Sequence, residues 1–180
     1  MSCDPSVSPA CARREEADAN PGLARLWDIL DQVKDPEIPV VSLWELGILQ
    51  NVEQHGDAVI VTITPTYSGC PAMDLIGDEI RLVLADAGHA NVSVRRHLAP
   101  AWTTDWINAE GRRKLRAFGI APPQEASSNK SDLLPGGPPV PCPRCRSVHT
   151  ERVSEFGSTA CKALYRCLDC SEPFDYFKCI

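Results

Sequence analysis

The stretch Ala58-Val-Ile-Val-Thr-Ile-Thr64, the turn Tyr67-Ser68-Gly69, and then Met73-Asp-Leu-Ile-Gly-Asp-Glu-Ile-Arg-Leu-Val-Leu-Ala-Asp-Ala87 together decide the fold. The first part is rich in β-branched residues and predicts a strand. In the last, Met73, Ile76, Ile80, Val83, Leu84 and Ala87 keep helical spacing up to Gly88, a natural stop. Working backward, a partner strand is expected around Gly47 to Val52, with a turn at His55-Gly56-Asp57 closing a hairpin. Working forward, Val92, Val94 and Leu98 fit a third strand. A short helix from about Asn108 to Gly119 should turn Leu115 and Phe118 inward.

Upstream, Asn20 before Pro21 is a helix start, an N-cap with proline at the first helical position. Leu23, Leu26, Trp27, Leu30 and Val33 then share one face, so an amphipathic helix is expected to end near Lys34. Asp35-Pro36-Glu37-Ile38-Pro39 cannot continue it, because each proline removes a backbone donor and drives the preceding residue extended. These elements make an α+β fold, with a small α/β-like mixed sheet and two to three helices.

On either side the composition changes. Residues 1–19 mix Pro, Ser and Ala with charges and lack a hydrophobic period, which predicts a disordered arm. From Ala121 to Pro141 there are six prolines, two glycines and three serines, which is linker composition. The expected domains are therefore 20–121, a linker at 122–140, and a small ribbon over 141–180.

In that last segment Cys142-Pro-Arg-Cys145 and Cys167-Leu-Asp-Cys170 each put two thiols at the ends of a tight turn. The 21 residues between the pairs are enough for a hairpin that brings the turns together. Four sulfurs then form a closed tetrahedral site, which suits structural zinc; an iron-sulfur cluster also takes four thiolates and stays open on spacing alone. A module of about 40 residues has too little core to fold without such help. Cys161 and Cys179 read as small buried hydrophobes or as further ligands.

The totals bound the function. The 180 residues carry a net charge of -6, which argues against nucleic-acid binding, and the ribbon's six Lys or Arg against five Asp or Glu form no basic stripe. No apolar run approaches the roughly 20 residues that span a bilayer, and the first residues do not read as a secretory signal, so a cytoplasmic protein is expected. Nine cysteines in a reducing compartment serve more often as metal ligands or reactive groups than in disulfides. The four histidines share no ligand spacing, and there is no phosphate loop or nucleophile elbow, so the chain is not expected to be an enzyme in its own right.

One further group carries chemistry. Cys70, in Ser68-Gly-Cys-Pro71, precedes a helix, where backbone N–H groups and the dipole favour a thiolate. Asp35 and Glu37 lie in the rigid proline-bracketed loop, and carboxylates beside a soft thiolate would suit transient iron.

Asp35-Pro-Glu-Ile-Pro39, Leu46-Gly-Ile48, Thr62-Ile-Thr64, Ser68-Gly-Cys-Pro71 and the later Gly111-Arg112 to Phe118-Gly-Ile120 resemble the iron-sulfur-assembly domain related to SufT, over about residues 22–121. Followed by a cysteine ribbon with Phe156-Gly-Ser-Thr-Ala-Cys-Lys-Ala-Leu-Tyr165 and Phe174-Asp-Tyr-Phe-Lys-Cys-Ile180, the chain resembles the PaaD family. That resemblance implies a cytoplasmic accessory or maturation subunit of the phenylacetyl-CoA epoxidase (monooxygenase) system, in aerobic phenylacetate catabolism. It implies the oxygenase subunits, the reductase subunits or both as partners and leaves a homodimer open. It maps the family's Asp-x-Glu and Cys-Pro motifs onto Asp35, Glu37 and Cys70. The expected role is assistance in iron or iron-sulfur cofactor assembly, and the alternative is a structural subunit that stabilises the oxygenase complex without metal transfer.

Overall fold

The computed structural model describes residues 8–123 and 139–178, and the chain forms two compact units, Met1–Gly111 and Arg112–Ile180. The first begins with helices α1 (Pro9–Asp18) and α2 (Pro21–Leu30). Where a disordered arm is expected, α1 forms. Its buried residues Ala10, Cys11 and Ala17 are all small, so the helix docks without the large apolar stripe that would reveal it in sequence. Arg13 also donates to the Gln50 carbonyl at 3.0 Å, and the Arg14 guanidinium lies 5.7 Å from the Trp27 ring centre. Cys11 is in a disulfide, against the expectation of free thiols, and Cys3 lies outside the described residues.

At the start of α2 the Asn20 side chain accepts from the backbone N–H groups of Gly22 and Leu23, satisfying donors that have no partner within the helix. The helix ends at Leu30, short of Lys34, because the next residues bond across the chain instead. Leu43 N–H donates to the Val33 carbonyl at 3.0 Å and Asp35 N–H to the Val41 carbonyl at 3.0 Å. Ser42 and Glu45 then close a capping box: the Glu45 carboxylate accepts from Ser42 N–H at 2.8 Å, and Ser42 Oγ accepts from Glu45 N–H at 3.1 Å.

Strands β1 (Leu49–His55) and β2 (Ala58–Ile63) pair antiparallel around the Gly56-Asp57 turn, and β3 (Asn91–Arg96) joins β2 in parallel after helix α3 (Met73–Asp86). Met73, Ile76, Ile80 and Leu84 are the buried face of α3, and Gly88, at φ +94°, ends it while His89 N–H caps the Leu84 carbonyl. Leu98, expected in the third strand, is exposed, because pairing stops at Arg96. The core of this unit centres on Leu26, Trp27 and Leu30 of α2, Val59, Val61 and Ile63 of β2, and the buried face of α3.

Among the described glycines of this unit, Gly47 is the tightest point. It sits at φ +67°, and a Cβ there would lie 2.5 Å from Trp106 Cβ and 2.8 Å from the Trp106 carbonyl oxygen. Beside it Trp102 Nε1 donates to the Leu46 carbonyl at 2.9 Å, so two tryptophans fix the chain just ahead of β1.

Helix α4 (Ala109–Phe118) starts at Asn108, whose side chain accepts from Gly111 N–H at 2.8 Å. Leu115 is buried as expected, whereas Phe118, expected inward, is half exposed near the helix end. A second sheet has the order β4 (Ile120–Ala121), β7 (Pro173–Phe177), β6 (Lys162–Cys167), β5 (Thr150–Ser154). Ile120 and Ala121, at the expected end of the first domain, pair in parallel with Asp175 and Tyr176 and so close the ribbon's sheet. One buried cluster of the ribbon holds Ala121, Val140, Cys142, Cys167 and Phe174, with Tyr165 and Tyr176 packed against it, and Cys161, Ala163 and Phe177 are buried as well. Lys162 is also buried, at 3% exposure, with its amine 3.8 Å from the Asp175 carboxylate. Among the described residues no helix is long and apolar enough to cross a membrane.

Candidate metal centre

The two Cys-x-x-Cys segments fold as copies of one turn. Cys142 N–H donates to the Ser147 carbonyl at 2.8 Å, and Cys167 N–H to the Glu172 carbonyl at 2.9 Å, the same offset of five residues. In each, the residue after the second cysteine takes a left-handed conformation, Arg146 at φ 65° and Ser171 at φ 62°. Amides near each turn therefore point at sulfur, the arrangement that stabilises thiolates.

Leu168 N–H donates to the His149 carbonyl at 2.9 Å and holds the turns face to face. Three side-chain links tie them further: Ser147 Oγ donates to Asp169, His149 Nδ1 lies 3.1 Å from the same carboxylate, and Arg144 pairs with Glu172. Sequence reasoning missed this group. Its one visible signal is that each member lies within two residues of a ligand or, for His149, four.

The result is one group in which the sulfurs of Cys142, Cys145, Cys167 and Cys170 all lie within 4.8 Å of one another. Cys142 and Cys170 are 3.8 Å apart and Cys145 and Cys167 3.5 Å. A tetrahedron with metal–sulfur bonds of about 2.3 Å has edges of about 3.8 Å, so the donor set fits a four-coordinate ion. The protonation balance agrees. Backbone N–H groups of Cys170 first, then Asp169, help bring the Cys167 thiol down to about 7. The Ser147 amide pulls on Cys145 in the same sense, but desolvation and the neighbouring thiols outweigh it and push that thiol up to about 12. Four thiolates this close require a cation to ionise together. The four-cysteine group thus has the donor set and the spacing that a four-coordinate metal ion requires.

Cys161 is buried and outside this group, with its sulfur 3.1 Å from Thr159 Oγ1; Cys179 lies outside the described residues.

The structure places the other candidates in the first unit. Cys70 is partly exposed, and its N–H donates to the Tyr67 carbonyl at 3.2 Å, just before α3. Asp35 Oδ1 accepts from Glu37 N–H and Ile38 N–H, both at 2.9 Å, so this carboxylate holds its own loop in a turn. Glu37 is partly exposed in that loop. Among the described residues, the four ribbon cysteines are the only group of three or more such side chains close enough to share one ion; Asp35, Glu37 and Cys70 form no such group. Asp35 and Lys34 instead line, with Leu75, Ile76 and Glu79 of α3, a cleft of about 310 Å³.

An α+β unit with a thiol ahead of its second core helix is joined to a four-thiol ribbon, the arrangement expected from the resemblance to an iron-sulfur-assembly type of domain carried with a cysteine ribbon. Comparison with known proteins agrees at both ends. Residues 23–95 match the family described as iron-sulfur cluster assembly protein, and residues 126–178 the PaaD zinc beta ribbon domain. The chain is 51% identical over 162 residues to a protein of Escherichia coli (strain K12) described as the D component of 1,2-phenylacetyl-CoA epoxidase, covering 90% of this chain and 96% of that one. It therefore belongs to the PaaD family. Over 89 residues the chain is also 35% identical to an Fe-S protein maturation auxiliary factor of Porphyromonas gingivalis (strain ATCC BAA-308 / W83), covering 48% of this chain and 84% of the relative. A crystal structure of a domain of unknown function, DUF59, from Bacillus anthracis is similar at a TM-score of 0.49 and 22% identity, over 58% of this chain and 96% of that one.

Proposed function

We propose that this chain is a cytoplasmic accessory factor that assists iron or iron-sulfur cofactor assembly in the oxygenase or reductase of a phenylacetyl-CoA epoxidase. In this reading Cys70 carries the iron chemistry, Asp35 and Glu37 would join it only on a rearrangement of their loop, and the ribbon holds zinc for structure. One observation supports it above the others: among the described residues the closed four-sulfur group belongs to one compact unit and the partly exposed Cys70 thiol to the other. A closed site favours a structural ion, while an accessible thiol before a helix can bind and release a soft metal. The likeness to a maturation factor points the same way.

The expected result is that Cys70→Ser, co-expressed with the oxygenase and reductase, lowers partner iron several-fold while ribbon metal content and folding stay unchanged. Normal partner iron in that variant defeats the proposal.

A second reading, a structural subunit without metal transfer, is favoured by the commitment of the Asp35 carboxylate to its own turn. It expects a stable complex with the oxygenase, lost on deletion of residues 141–180 and indifferent to Cys70→Ser.

A further inference from the structure

Beside the first knuckle lies a cleft of about 530 Å³, in the size range of small-molecule sites, lined by Arg112 and Arg116 of α4, Ala121, Pro122 and Pro123, and Pro141 to Pro143 with Arg146. Three guanidinium groups border it, and among the described residues no acidic side chain does. That is a marked local excess in a chain of net charge -6.

The arginines are not engaged alike. Arg112 donates to the Pro123 carbonyl, which orients it along the wall. Arg116, one helical turn further on α4, and Arg146 make no side-chain hydrogen bond or ion pair among the described residues, and both are exposed. Other arginines of the same unit behave differently: Arg144 pairs with Glu172, Arg152 with Glu155, and Arg166 with Glu151. Arg116 and Arg146, with no carboxylate partner among the described residues, stand beside Arg112 around one concavity with an apolar floor of proline and alanine, and form a receptor for an anion with several oxygens. A carboxylate engages one guanidinium fork, whereas a diphosphate can take two or three.

We propose that this cleft binds a small phosphorylated anion of the diphosphate class, gripped by Arg116 and Arg146 and flanked by Arg112. Two sources share that chemistry, a nucleoside diphosphate and free pyrophosphate. In the first, the proline floor would also take the base; in the second, only the arginines contribute. The competing role for Arg146 is to offset the negative charge of the neighbouring metal–thiolate centre, since Cys142 is part of the lining.

The test is calorimetric titration of the full metal-loaded chain with inorganic pyrophosphate and, separately, adenosine diphosphate, with metal content measured for every variant. Saturable binding of one ligand per chain is expected, weakening as salt rises. Arg116→Gln and Arg146→Asn should each weaken it about tenfold or more, asparagine being tolerated at the left-handed position of Arg146. Arg166→Gln removes an equal charge away from the cleft and should leave it unchanged. Tighter binding of the diphosphate nucleoside assigns the site to nucleotides, and equal binding assigns it to free phosphates. Absence of saturation for both ligands at about millimolar concentration overturns the proposal. So does affinity that survives both cleft variants, including the case in which Arg146→Asn lowers metal content alone.

Discussion

Removal of the ribbon's metal by a chelator, or the single change Cys167→Ser, abolishes ordered structure in the ribbon while the first unit stays folded. Cys167 is fully buried, is one of the four sulfurs, and belongs to a buried hydrophobic cluster of the ribbon. A module this size has little core of its own, whereas metal binding in comparable small modules supplies on the order of 10–16 kcal/mol. The loss therefore exceeds any compensation from the sheet. All four tryptophans, Trp27, Trp44, Trp102 and Trp106, lie in the first unit, so indole fluorescence reports on that unit alone. The check is a pair of measurements on one sample: amide dispersion of ribbon residues by NMR and tryptophan emission. Ribbon signals that keep their dispersion after complete metal removal would show that the thiols pack without an ion.

Gly47→Ala should be the most damaging single methyl in the first unit. The backbone there is left-handed, which costs a side-chain-bearing residue roughly 1–2 kcal/mol. The new Cβ would also meet Trp106 Cβ at 2.5 Å and its backbone oxygen at 2.8 Å, and backbone cannot rotate away as a side-chain tip can. Overpacking of this kind typically costs about 1–3 kcal/mol more, so a total of about 2–5 kcal/mol is expected. Urea unfolding followed by tryptophan emission reads it directly, since Trp106 is both neighbour and probe. As a contrast, Gly56→Ala has open space around its Cβ and carries only the backbone penalty. Equal midpoints for the two variants would refute the role given to Trp106.

Local signals are legible in the sequence and non-local ones are not. Asn20 and Pro21 announce α2, the spacing from Met73 to Leu84 announces α3, and the paired cysteines announce the ribbon, because each depends on neighbours a few residues away. The C-terminal end of α2 is hidden because Val33 and Asp35 bond to Leu43 and Val41, a competition that periodicity does not register. Hydrophobicity alone puts Phe118 and Leu98 inside, yet a helix end and a strand that stops early leave them in solvent. The candidate site divides similarly. The four ribbon ligands are visible from spacing, but the polar links through Ser147, His149 and Asp169 depend on how the two knuckles face each other. The tie of Asp35 to Glu37 and Ile38 is local, and an Asp ahead of Pro36 in a turn could have signalled it.

The burial of Lys162 reaches beyond packing. Its amine is shut away with Asp175, while Lys178 of the same unit is partly open to solvent and Lys34 is exposed. An amine-reactive label meets this lysine only when the β6–β7 region parts. Its rate of modification is thus a clock for ribbon opening, readable by mass spectrometry in a mixture and with no engineered probe.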